Sequence, residues 1–354
     1  KFSTWNQFTV LLYAQAAGKT SLRDIQNALD SQGSHLYHLG LPQHIARSTL
    51  ADANASRDYR IYEDLFHRLQ ERCRVMAPSH GFKFKNPVFS LDSTFIELCL
   101  RAIPWAKHTR KCGALKLHYG LDHSGNIPSF LVITHGKRAD ISVAKKHWPI
   151  IPDSINCFDR GYLDFDWFRR INEAGAFFVT RTKTGLRYRV AGQQEKPAGT
   201  DVTADRTIEL LSWCSGGAYP QQLRLISYLD RASGRRFRFL TNNFDLPADA
   251  IADIYKARWQ IEAFFKWIKQ NLMIKSFLGT SRNAVLSQIW IAMCYYLLLA
   301  YIKFQSRYTH SLFYLHRIVR QTILDRLSLI DVLRLTERRL SRIRDPEPQL
   351  GFQF

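Results

Sequence analysis

Hydrophobic and polar positions change rhythm along this chain. Over the first 80 or so residues, apolar side chains recur at helical spacing in short stretches broken by Gly18, Gly33, Gly40 and Pro42. One predicted helix follows Ser21 as its cap (LRDIQNAL). Another follows Ser48 (TLADANAS) and runs on through YRIYEDLFHRLQERC. From residue 88 the period becomes that of strands. VFSLDSTFIELCL alternates, and ALKLHYGLD, SGN and IPSFLVITHG together predict a hairpin. A helix-like stretch from Ile141, a short strand SINCFD, a helix DFDWFRRINEAG and a strand AFFVTRT follow. Three strands and then alternating helix and strand make an α/β layer pattern with a mixed sheet. Between about 183 and 243 the pattern is again strand-like (LRYRVAG, RTIELL, LRLISYL, RFRFLTN) and predicts a separate β insertion. Long helical stretches are expected at 247–272, 284–305 and 311–344. There is no internal repeat and no low-complexity segment.

These elements divide the 354 residues into a helical N-terminal region (1–85), a first α/β part (86–183), the β insertion (184–243), a helix completing the core (244–280) and a helical C-terminal region (281–354). Hydrophobic residues at 46% and charged ones at 23% describe a folded chain. The charge balance is less ordinary. Fifty Lys and Arg against 30 Asp and Glu give +20, which favours a polyanionic partner, because each cation that meets a phosphate releases condensed counterions. A basic protein kept soluble by its charge is the alternative. The cations gather at 107–116, 137–146, 181–189, 231–238 and 334–344, as on a folded surface facing an extended polyanion rather than in one basic tail. The N-terminal helices could form a helix-turn-helix-like DNA-binding unit, although no recognition-helix pattern separates that from generic helical packing. Six dispersed cysteines, without a CxxC pair, argue against disulfides and structural zinc. The apolar run 289–302 is too short to cross a bilayer and is expected to be a core helix. No signal peptide precedes it, so a cytoplasmic location and no membrane partner are expected. The chain begins at Lys1, and some N-terminal sequence is expected to lie before it.

The segment IYKARWQIEAFFKWIKQNL carries the strongest chemical signal. Tyr255, Arg258, Glu262 and Lys269 are three, four and seven positions apart, which at about 100° per residue puts them within an arc of roughly 60°, with Lys266 beside them. Ile254, Ile261, Phe264 and Ile268 form a neighbouring inward arc. A solvated face of i,i+4 ion pairs is the ordinary explanation, but cations here outnumber the single acid. Such a row suits a phosphodiester held next to a metal ion. Mg²⁺ needs further oxygen ligands, and Asp92 and Asp159 are the candidates. Asp92 interrupts the apolar strand VFSLDSTF, and Asp159 closes SINCFD before the turn RGY. Acids on a first strand, at the end of a later strand and on a following helix can converge at one sheet edge and hold two metals about 4 Å apart.

The spacing Tyr-x2-Arg-x3-Glu-x6-Lys resembles the signature of the bacterial insertion-sequence-four family of cut-and-paste DDE transposases, with Tyr255, Arg258, Glu262 and Lys269 in its four positions. SLDST around Asp92 and FDRGY around Asp159 are similar to that family's two aspartate motifs, and SLRDI and RSTLADAN extend the resemblance over most of the chain. The resemblance implies a ribonuclease-H-like catalytic core interrupted by a β insertion, with Asp92, Asp159 and Glu262 as catalytic metal ligands for two Mg²⁺ ions, Mn²⁺ substituting. Tyr255, Arg258, Lys269 and Lys266 would then hold DNA phosphate. It also implies a homodimer on double-stranded DNA, acting at terminal inverted repeats and target DNA near the bacterial nucleoid, often through a hairpin. Trp259 and Trp213 are candidates for stacking on a flipped base, packing in a core being the alternative for each. Lys107, Lys111, Lys137 and Arg138 could line a DNA path, a solvated surface being the equal alternative, whereas His118 and His135 are expected to be packed or exposed rather than catalytic. The rival functions are a silent, transposase-derived DNA-binding protein and a nuclease without strand transfer.

Overall fold

Helix α1 (Thr4–Ala17) begins at Ser3, whose hydroxyl accepts from the Asn6 amide at 3.1 Å while the Asn6 side chain accepts from the Ser3 amide at 2.8 Å. This reciprocal cap satisfies two otherwise orphaned donors. Helix α2 (Leu22–Asp30) is capped by Ser21, as its sequence predicts. After the short α3 (Gly33–Leu36), the long helical run expected from Ser48 proves to be two helices, α4 (Arg47–Ser56) and α5 (Arg60–Met76). They part at Arg57, where the backbone is extended (φ −80°, ψ 132°). The Asn283 side chain compensates for the break, donating to the carbonyls of Asn54 and Arg57 and accepting from the Tyr59 amide at 3.0 Å.

The computed structural model describes residues 2–99, 103–106, 113–183, 185–195, 197–211, 219–324, 328–329 and 331–334. The chain forms two compact units, 77–270 and 1–76 with 271–354. In the central unit, β1 (Val88–Leu98), β2 (Gly113–Asp122) and β3 (Ile127–His135) pair antiparallel. Helix α6 (Asp140–His147) leads to β4 (Ile155–Phe158), and α7 (Phe165–Glu173) leads to β5 (Phe177–Arg181). β4 lies parallel to β1 and β5 parallel to β4. The next strands, β6 (Tyr188–Gln193), β7 (Val202–Leu210), β8 (Leu223–Asp230) and β9 (Arg235–Thr241), form an antiparallel meander. β9 then pairs with β5, so these strands extend the same sheet instead of forming a separate layer. The order across nine strands is β3-β2-β1-β4-β5-β9-β8-β7-β6.

Alternation assigns each strand two faces. Phe89, Leu91, Phe158, Phe178 and Leu240 pack with Trp148 and with Trp167, Phe168 and Ile171 of α7. Val88, Ile155, Cys157, Val179, Ile226 and Phe239 face the other way, onto Ile251, Ala252 and Ile254 of α8 (Ala248–Ala257). The single long helix expected over 247–272 is divided: α8 ends at Ala257 and α9 (Trp259–Asn271) begins at Trp259. Arg258 between them keeps a helical backbone (φ −50°, ψ −31°), so the angular phase of the side chains carries across the junction.

In the other unit, α10 (Arg282–Ser306) is the centre against which α1, α4, α5 and α11 (Leu312–Thr322) pack. Phe66 of α5 meets Trp290 at 5.2 Å between rings. The apolar run expected as a core helix lies within this 25-residue helix. By length and composition the helix could span a membrane, but 83% of its most apolar window is buried inside the protein. Burial rather than length makes it a core helix.

Candidate active site

Parallel pairing of β1 with β4 sets Leu91 opposite Phe158. One step on, Asp92 and Asp159 occupy equivalent rungs of neighbouring strands, roughly 5 Å apart across the ladder. By the same alternation both point to the face covered by α8. Asp159 ends β4 and caps the turn after it, its Oδ1 accepting from the Gly161 amide at 2.8 Å.

Arg258 joins the helix to the strand. Its Nη1 donates to Asp92 Oδ2 at 3.1 Å and its Nη2 to Glu262 Oε1 at 2.7 Å, drawing together residues 166 positions apart. The Arg258 side chain is 12% exposed, against 24% for Asp92 and 34% for Glu262, so the pairs sit below the surface, open on the carboxylate side. The other oxygen of Asp92 accepts from the Ser93 amide at 2.7 Å. Burial pushes the Asp92 carboxyl up to about 6; Ser93 and Arg258 pull it down, and Asp159 and Glu262 push it up. Asp92 therefore feels the charge of both other acids.

Tyr255, one turn before Arg258, packs on Phe239 at 4.9 Å between tilted rings, and its ring centre lies 5.7 Å from the Arg258 guanidinium. Lys266, exposed, and Lys269, half-buried, follow Glu262 on α9, about 6 and 10 Å further along the axis. Trp259 is 65% exposed, which sets aside the core alternative for that residue. Trp213, Lys107 and Lys111 lie outside the described residues. Lys137, Arg138 and His135 are exposed, and His118 is buried.

Among the described residues, no group of three His, Cys, Asp or Glu side chains stands at metal-holding distance, and a guanidinium bridges two of the acids. The donor set nevertheless suits a hard divalent cation, since it offers carboxylate oxygens only. Among the described residues the ion pairs to Asp92 and Glu262 come from Arg258 alone, and Asp159 makes none. Three acids against one guanidinium leave negative charge uncompensated.

Sequence reading passed over Gly161. A Cβ there would come within 2.9 Å of Asp159 Oδ1, so the FDRGY turn needs a glycine to leave that carboxylate its place. The signal available was the glycine two residues after the acid.

Comparison with known proteins gives this geometry a family. The family described as "Transposase DDE domain" matches residues 83–298, more than half of the chain, and a domain of unknown function matches residues 1–42. A protein named as a transposase, y4zB, from Sinorhizobium fredii is 35% identical over 254 residues, covering 71% of this chain and 69% of its own. One named for insertion sequence element IS5377, from Geobacillus stearothermophilus, is 28% identical over 76% of this chain and 70% of its own. One named for IS4SA, from Synechocystis sp., is 23% identical over 79% and 76%. A solved piggyBac transposase synaptic complex with hairpin DNA reaches a TM-score of 0.46 at 11% identity over 98% of this chain and 76% of that one, too weak a likeness to carry argument. With a family match across the strands and helices that hold Asp92, Asp159 and Glu262, this chain belongs to the bacterial DDE transposases of the insertion-sequence-four type.

Proposed function

We propose that this transposase cleaves DNA at the terminal inverted repeats of its element and joins the freed 3′-OH to target DNA. It does so as a homodimer on double-stranded DNA, with Mg²⁺ as its physiological metal and Mn²⁺ as a substitute. The observation that carries the reading is the Arg258 bridge between Asp92 and Glu262, with Asp159 on the rung beside Asp92. The strand order β3-β2-β1-β4-β5, antiparallel and then parallel, supports a ribonuclease-H-like core in which acids from β1, β4 and α9 meet.

Divalent metal, when bound, would activate an attacking oxygen and stabilise a leaving one. Asp92, Asp159 and Glu262 hold that charge. Arg258, Lys266 and Lys269, with the Tyr255 hydroxyl, hold the phosphodiester and fix its approach. Trp259, exposed beside Arg258, offers a face to an unstacked base, as a hairpin route for the second strand requires. The test is substitution of Asp92, Asp159 and Glu262 by Ala, singly and together. Nicking and strand transfer with Mg²⁺ or Mn²⁺ should disappear, while binding to inverted-repeat DNA persists. A triple variant that still cleaves would overturn the assignment.

A further inference from the structure

The rung that carries Asp92 and Asp159 continues onto a third strand. β4 pairs with β5 so that Cys157 stands opposite Val179, and two steps on Asp159 stands opposite Arg181, the last residue of β5. Arg181 is thus roughly 5 Å from Asp159 and 10 Å from Asp92 across the ladder. Alternation from Val179 turns its side chain to the face covered by α8, where its guanidinium lies over the Phe237 ring at 4.7 Å. Phe237 lies parallel to Phe239 at 6.2 Å between ring centres, and Tyr255 packs on Phe239 at 4.9 Å. An aromatic row therefore links Arg181 to Tyr255, the first residue of the cationic helix edge. Burial raises the Tyr255 phenol, and the charges of Arg258 and Arg181 oppose that rise.

Arg181 has an acid on the neighbouring strand and does not pair with it. In the central unit Arg169, Arg189, Arg224, Arg231 and Arg258 each form an ion pair. The half-buried Arg181 guanidinium forms none with a described residue, and Asp159 gives its Oδ1 to the Gly161 amide instead. A cation over an aromatic face uses its charge and leaves its N–H donors free. That planar fork of donors matches the oxygens of a phosphate. β1, β4 and β5 run parallel, so their C-terminal ends open onto one crevice, where such sheets bind ligands. Arg181 also opens the cation group 181–189, which the metal chemistry leaves unused.

We propose that Arg181 binds a second phosphate of the DNA strand crossing the acids, on the β5 side of Asp159, while Arg258 and its helix neighbours hold the phosphodiester at Asp92 and Glu262. This rests on the reading of the three acids as the reaction centre. The test uses the full chain with Arg181→Met, which keeps an apolar stem on Phe237, Arg181→Lys and Arg258→Met. Each is titrated with inverted-repeat DNA carrying one uncharged methylphosphonate, moved in turn through the phosphates flanking the cleaved bond. Wild-type binding should weaken about tenfold at two distinct positions. Arg181→Met should be blind to one of them and Arg258→Met to the other, since removing a charge costs nothing further once its partner is gone. Arg181→Met should also bind the unmodified end about tenfold more weakly, with the slope of log Kd against log salt reduced by about one. Its melting temperature and its Mn²⁺ affinity without DNA should be unchanged. Arg181→Lys should restore the salt slope but only part of the affinity, because a point charge replaces a fork. If Arg181→Met does not fold, the same scan on Arg181→Lys decides, with the loss at its position reduced rather than absent. Full losses at every position in Arg181→Met, or one position lost to both arginine variants, overturn the proposal. A wild-type Kd and salt slope in Arg181→Met overturn it as well, and so does weakened Mn²⁺ binding, which would make Arg181 an organiser of the acids. Asp159→Ala is the control. If it still cleaves while Arg181→Met loses its position, the site reading fails and the DNA contact stands; if it stops cleaving while Arg181→Met keeps every position, only the Arg181 contact fails.

Discussion

Among the arginine–carboxylate pairs of the central unit, the two whose arginines are largely buried have opposite characters. Arg224 is 6% exposed and Asp205 fully buried. Arg224 Nε and Nη2 reach Asp205 at 3.0 and 2.6 Å, and its Nη1 reaches the Leu246 and Asn243 carbonyls at 2.6 and 3.3 Å. Charge is balanced one to one, and the pair pins the loop that starts α8. Arg258, at the other end of α8, serves two carboxylates on an open side, and its buried Nε has no partner among the described residues. One cluster is closed and anchors; the other carries surplus negative charge and an unused donor. Incomplete satisfaction of this kind is a cost that persists where a ligand completes the set.

The contrast breaks most sharply on stability. Arg224→Met leaves Asp205 charged and buried without a partner, which should cost about 3–5 kcal/mol. Arg258→Met leaves acids that are a quarter to a third exposed and can take up water, and should cost less, about 1–2 kcal/mol. Thermal unfolding of the two variants measures the difference, and equal losses would erase the distinction between anchor and site.

A neutral histidine is buried beside β1. The His123 ring bonds the Ser90 hydroxyl at 2.7 Å, and burial pushes its pKa down from 6.5 to about 4, with the nearby Gln260 side chain opposing and His80 adding to the fall. A histidine depressed in the folded state gives stability that is fully present above pH 6.5 and lost as pH falls to 4. The shift corresponds to about 3 kcal/mol. His123→Gln should flatten unfolding free energy against pH over that window. An unchanged slope would show that this tie does not carry the acid sensitivity.

Gly161→Ala tests the open cluster from its third acid. The added Cβ pushes on the end of a side chain rather than on backbone, so folding should be little affected while the Asp159 carboxylate shifts. Misplacement by about 1 Å can cost about a hundredfold in rate. Cleavage falling on that scale at unchanged melting temperature is the expected result, and wild-type cleavage would mean that the position of Asp159 is not critical.

What the sequence made legible follows from how local each signal is. Alternation along β1 and the β2–β3 hairpin was readable, as was the spacing of Tyr255, Arg258, Glu262 and Lys269. The break at Arg258 was not, because its backbone stays helical and the side-chain phase runs through. Continuity of β5 with β9 was hidden because the pairing joins Val179 to Thr241, far apart in sequence. β2 misled differently: ALKLHYGLD alternates as though one face met water, yet every position in the strand is buried. Lys116 falls among the cations expected at the surface and His118 is expected packed or exposed, and both are buried. Asp92 and Asp159 were separable from other acids only through resemblance, since what distinguishes them is a shared rung between strands.

The smallest effect bears most directly on the open cluster. If Arg258 stands in for a cation, divalent metal binds in competition with it, and removing it should tighten Mn²⁺ binding by about tenfold, or about 1.4 kcal/mol. Titration belongs at pH 8, above the raised Asp92 value of about 6, so that protonation does not mimic weak binding. Arg258→Met should therefore bind Mn²⁺ more tightly than wild type while binding inverted-repeat DNA more weakly, because the phosphate loses its guanidinium. In the wild type, inverted-repeat DNA should raise Mn²⁺ affinity by drawing Arg258 off the carboxylates. In Arg258→Met that coupling should shrink, since there is no guanidinium left to displace. Mn²⁺ affinity that falls in the variant would mean that Arg258 organises the acids for metal instead of occupying their place, and the contrast with Arg224 would narrow to one of exposure alone.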